Sequence, residues 1–154
     1  MQFRLFETAV YTRRRSQLIK KMSSGLIILM GNEESSMNYK DNWYPFRQDS
    51  NFLYYFGINT GSLAAVIDAD SGEEIIFGNE LTIEDIVWTG PLPSLGEMAA
   101  AVGVSKTKPY NQIETIIRNA INSGRQIYFT PPYRPENKIK LAQWLQVAVD
   151  AVSE

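Results

Sequence analysis

Two periodicities divide the apolar and polar positions of this chain. Tyr11, Leu18 and Met22 fall on one stripe at helical spacing, with Arg14, Arg15, Lys20 and Lys21 on the rest of the surface. An opening helix is predicted there, closed at Ser24-Gly25. Leu26 to Met30 is a continuous apolar run between two glycines, too short for a helix, and reads as a strand covered on both faces. Gly31 to Tyr44 turns polar and reads as a long loop. Phe52 to Phe56 is rich in aromatic residues and stops at Gly57, which reads as an extended segment entered through a loop-to-strand junction. Leu63 to Ile67 and Glu74 to Phe77 flank the turn-rich Asp68-Ala69-Asp70-Ser71-Gly72 and suit a β-hairpin.

Helical spacing returns in the second half. Thr82-x-x-Asp85 and Ser94-x-x-Glu97 have the form of capping boxes, the second leading into Leu95, Met98, Ala99 and Val102 before Gly103. Ile113, Ile116, Ile117, Ala120 and Ile121 mark the clearest helix, with Asn111 and Glu114 in capping positions and Gly124 as its stop. Ile127 to Phe129 gives a further strand. Pro135 then opens a last helix predicted to carry Leu141, Leu145, Ala148 and Val152 on one face. Helices before and after strands, together with a hairpin, predict one α/β domain over residues 1–154 with a mixed sheet flanked by helices.

Composition narrows the chemistry. The 154 residues include 44% apolar side chains and 15 basic against 17 acidic ones, enough for one core and no global field for nucleic acid or anionic lipid. There is no cysteine and no histidine. Thiol nucleophiles, thiolate zinc sites, Ser-His-Asp triads, imidazole bases and His-ligated metals are therefore all excluded from these residues. No apolar stretch is long enough to span a bilayer, and charges interrupt the first fifteen residues where a signal peptide needs its apolar segment. A cytoplasmic protein that contacts neither membrane nor nucleic acid is expected.

Most short motifs reduce to structure. The glycines around Gly25 to Gly31 and Gly57 to Gly61 lack the spacing of phosphate or dinucleotide loops, and Asp68-x-Asp70-x-Gly72 lacks the closing glutamate of a calcium loop. Arg13-Arg14-Arg15 reads as a solvated helix face. One cluster resists this reduction: residues 38–52 pack amides, acids, Arg47 and several rings into a single stretch, as a binding surface or a rigid interface does. Within it Arg47, Gln48, Asp49 and Asn51 suit an internal network tying the long loop to the sheet, with substrate contact as the other reading. Trp88, in a Gly/Pro loop, reads as an anchor if exposed and as core if buried.

Taken together, Tyr39-Lys40-Asp41-Asn42, Tyr44-Pro45-Phe46-Arg47-Gln48-Asp49-Ser50-Asn51-Phe52 and Ile86-Val87-Trp88-Thr89-Gly90 resemble the N-terminal domain of aminopeptidase P, the Xaa-Pro aminopeptidase, within the wider creatinase and prolidase group. The resemblance implies a mixed, about six-stranded sheet of the creatinase N-terminal type, with ribonuclease H-like topology. It also implies a following C-terminal pita-bread domain that holds two manganese ions and is absent from these residues. No catalytic or metal-ligating residue is then expected in this chain. Asp41 and Trp88 are implied as contacts at a substrate mouth, beside Tyr39 and Tyr44 as mouth or interface residues. The partners implied are the C-terminal catalytic domain, further copies in a dimer or tetramer, and peptides with proline in second position. A prolidase N-terminal domain and a free-standing binding or assembly module are the alternatives. A carboxylate nuclease is disfavoured by scattered acids and negative charge.

Overall fold

The computed structural model describes residues 6–33, 46–79, 94–132, 134–149 and 151. Five strands form one mixed sheet in the order β4-β3-β2-β1-β5. They are β1 (Leu26–Met30), β2 (Ala64–Asp68), β3 (Glu74–Phe77), β4 (Lys106–Lys108) and β5 (Ile127–Phe129). β2 is antiparallel to both neighbours, with Ile28 opposite Val66 and Val66 opposite Ile75, whereas β1 pairs β5 and β3 pairs β4 in parallel. All strands but β2 thus point the same way. The described sheet has five strands where the resemblance implied about six.

Helices cover both faces. α1 (Thr8–Met22), α2 (Ser50–Phe56) and α3 (Leu95–Ala101) lie on one side, and α4 (Ile113–Asn122) and α5 (Pro135–Leu145) on the other. Strand alternation sorts the core: Ile27, Leu29, Ala65, Ile67 and Ile76 face the first layer, while Leu26, Ile28, Met30, Val66 and Phe77 face the second. Each fully buried branched side chain removes enough apolar area to contribute about 1.5–3 kcal/mol. The apolar run of β1 is buried at every position, as predicted. At the outer edge, β4 exposes Lys106 and is paired through it with Glu73, a charged guard against edge-to-edge association.

Four expectations need correction. Residues 52–56 are helix, because the Asp49 carboxylate accepts a hydrogen bond from the Phe52 N–H at 3.0 Å and caps a turn that stacks Phe52 on Phe56, ring centroids 5.3 Å apart. Gly57 ends that helix at φ 65°, and a Cβ there would lie 2.3 Å from the Tyr11 ring. Arg15 is not on a solvated face; it is completely buried. The last helix stops at Leu145, where Gln146 takes φ 57° and ends the turn, leaving Ala148 exposed. β4 carries no alternating apolar signal and was not expected. Elsewhere the reading holds: Ser94 and Glu97 form both halves of a capping box, and Pro135 sits in the first turn of α5. The N-cap of α4 is Gln112, one residue after the predicted Asn111, at the end of a 3-10 turn at Tyr110–Gln112. Val152 and the Thr82-x-x-Asp85 segment lie outside the described residues.

Candidate functional site

The polar groups that the core does not explain gather at the carboxyl end of β1. Gly31 still bonds to the sheet through its N–H on Leu63 O, 2.9 Å, but the next residue, Asn32, has no strand partner and is buried all the same. Gln48 satisfies it. Its Oε1 accepts from the Asn32 N–H at 2.8 Å and the Asp49 N–H at 3.1 Å, while its Nε2 donates to Ile58 O at 3.0 Å and Thr60 O at 2.9 Å. The Asn32 side chain donates to Arg47 O at 3.0 Å and accepts from Asn137 Nδ2 at 2.9 Å. Three buried amides therefore join β1, the approach to α2, the approach to β2, and α5. These bonds satisfy buried groups that would each cost about 1–3 kcal/mol if orphaned, while Asn137 Oδ1 is buried without a partner among the described residues.

An ionic rim surrounds the amides. Glu33 accepts from Lys140, whose ammonium also donates to Tyr110 Oη at 3.0 Å, and Arg134 Nη1 reaches Glu33 O at 3.1 Å. Burial works against the Lys140 charge, yet its bonds to Glu33 and Tyr110 outweigh that and hold its pKa above the ordinary lysine value. Burial likewise raises the Tyr110 phenol, which stays protonated and can accept from Lys140.

Of the residues singled out from sequence, Gln48 is the hub of this network and Asp49 the cap of α2. Arg47 enters through its main-chain carbonyl while the residue itself is exposed, and Asn51 stands exposed on the first turn of α2. Asp41, Tyr39, Tyr44 and Trp88 lie outside the described residues. The residues bordering those two segments, Glu33 after β1 and Asn79 after β3, sit at the same end of the sheet, because β1 and β3 are both antiparallel to β2. Asn32 and Asn137 were missed. Asn137 had a signal, since it stands one helical turn before Leu141 on the apolar stripe of α5, where a polar residue needs a partner.

With no histidine or cysteine in the chain, and no group of three potential metal ligands among the described residues, nothing described here fits a metal centre. No described helix is long and apolar enough to cross a membrane.

Residues 11–128 match the family model described as aminopeptidase P, N-terminal domain. The chain is 25% identical over 123 residues to the Xaa-Pro aminopeptidase of Escherichia coli (strain K12), covering 77% of this chain and 27% of that protein. It is 23% identical over 116 residues to the Xaa-Pro dipeptidase of Homo sapiens, covering 71% of this chain and 24% of that protein. Among solved structures, Pseudomonas aeruginosa aminopeptidase PepP superposes with a TM-score of 0.77 at 23% identity, over 94% of this chain and 33% of that one. E. coli aminopeptidase P gives a TM-score of 0.77 at 20% identity, over 92% and 33%. The chain spans about a quarter of the length of the curated relatives it matches.

Proposed function

Because the chain belongs to the aminopeptidase P N-terminal domain family, we propose that it serves as the non-catalytic N-terminal domain of an Xaa-Pro metalloaminopeptidase, helping to assemble the oligomer and shaping access to the catalytic site. The match over residues 11–128, by a chain that spans about a quarter of the length of its relatives, is the observation that carries this reading. Chemistry is assigned to a C-terminal domain, where two manganese ions would activate the water that cleaves the Xaa-Pro bond. This chain contributes recognition. Asp41 offers a carboxylate to the peptide's α-ammonium, and Trp88 an apolar wall against the proline ring. Glu33 and Asn79, at one end of the sheet, support both segments serving a common mouth.

A dipeptidase is the second reading, favoured by the similarity to the human Xaa-Pro dipeptidase. One assay separates the cases. The enzyme expressed from the complete reading frame, supplied with manganese, is given a Xaa-Pro-Xaa tripeptide and a Xaa-Pro dipeptide, beside the 154-residue chain alone. Release of the first residue from the tripeptide by the longer enzyme only is the expected result. Cleavage confined to the dipeptide favours the second reading, and cleavage by the 154-residue chain overturns both.

A further inference from the structure

We infer that Gln48, together with Asn32 and Asn137, is a positioning group for substrate access, a clasp that pins the two ends of the segment between residues 33 and 47 to each other and to α5. The inference rests on the proposed role of Asp41. Its ground is geometric: Asn32 and Gln48, at the two ends of that segment, meet at 2.8 Å, and Asn32 meets Arg47 O at 3.0 Å. The bonds orient each amide, Asn137 through its Nδ2 alone. Asn32 Nδ2 must donate to Arg47 O, so its Oδ1 faces Asn137 Nδ2, and Gln48 uses both protons and its oxygen on main-chain groups. A purely apolar contact of similar volume would hold the ends together but would let them slide; directional bonds select one register.

The place of the clasp supports the same conclusion. β1 and β5 are parallel neighbours, and after them the chain leaves to opposite faces of the sheet, to α2 on one side and α5 on the other. Open α/β sheets take their ligands outside the carboxyl ends of the strands at such a switch point. Gln48 belongs to one side of that point and Asn137 to the other, with Asn32 between them.

The test uses the enzyme carrying the complete reading frame and a Xaa-Pro tripeptide. Gln48→Leu keeps the volume and removes the bonds, and it is expected to raise KM about tenfold with kcat within about twofold. Asn32→Leu keeps the main-chain bond to Gln48 but removes the side-chain bonds to Arg47 O and Asn137, and it should raise KM less. Ile117→Val, in the opposite core layer, is the control for lost stability and should leave KM unchanged. If Gln48→Leu fails to fold, Asn32→Leu decides alone, by whether KM rises. A KM unmoved in the folded clasp variants, or moved equally by Ile117→Val, overturns the inference while leaving the proposed function standing. A wild-type enzyme that cleaves no Xaa-Pro bond overturns the proposed function, and the clasp's role with it.

Discussion

Arg15 shows how one side chain can organise four segments. Its guanidinium meets Glu74 at 3.0 Å, donates to Tyr55 O at 2.8 Å and Val102 O at 2.6 Å, and lies over the Phe56 ring. Those partners belong to β3, to α2, to the end of α3 and again to α2, so the residue fastens α1 to the whole first layer. Removing it strands a largely buried carboxylate and two carbonyls. Arg15→Ala should cost about 3–5 kcal/mol, and Arg15→Lys is not conservative, because a single ammonium cannot serve three acceptors in a plane. Denaturant midpoints check both. Arg47→Ala is the contrast: the exposed side chain leaves and the bonded carbonyl stays, so stability should change by less than about 0.5 kcal/mol.

At the scale of elements, α2 marks where the sequence was legible and where it was not. Strands with one environment per face were readable, as in β1, whose apolar run could be buried only on both sides. The same propensity argument failed for Phe52 to Phe56, since aromatic residues favour strands but the Asp49 cap and the Phe52–Phe56 pair on one helical face decide otherwise. Arg15 misled for a related reason: a charge on a helix reads as solvated until its partners, up to 87 residues away, are known. The clasp was half legible. Gln48 stood inside a recognisable polar cluster, whereas Asn32 and Asn137 are brought together only by tertiary structure. The cap is testable by mutation. Asp49→Ala should destabilise the chain by about 1 kcal/mol through loss of the Phe52 N–H bond, and Ser94→Ala by a similar amount through loss of the capping box on α3. Chemical denaturation with an unchanged m-value would confirm that each acts locally on the native state.

For the whole molecule, acid stability reports how the sheet is tied to the far side of the fold. Arg125, between α4 and β5, donates to Asp68 and Asp70 in the β2–β3 turn, at 2.7 Å each. Burial pushes the Asp68 carboxyl upward, but the Arg125 bond and the Ser71 and Asp70 N–H groups outweigh it and hold it below the ordinary carboxylate value. A depressed native pKa contributes stability that is complete above the unfolded value near 3.9 and is lost as pH falls through the native one. Asp68→Asn should therefore flatten the loss of stability below about pH 4 and lower the plateau at neutral pH, which denaturation across pH 2–7 would measure. The proposed function holds that this domain governs access and not chemistry. Its most direct test is the separate determination of KM and kcat for the Asp41→Asn enzyme on a Xaa-Pro tripeptide. Loss of one charge-assisted bond, about 1.5–3 kcal/mol, should lower kcat/KM by about 10- to 100-fold, carried by KM with kcat nearly unchanged. An unchanged kcat/KM, with the 154-residue variant unfolding at lower denaturant, would make Asp41 a structural acid and contradict the account.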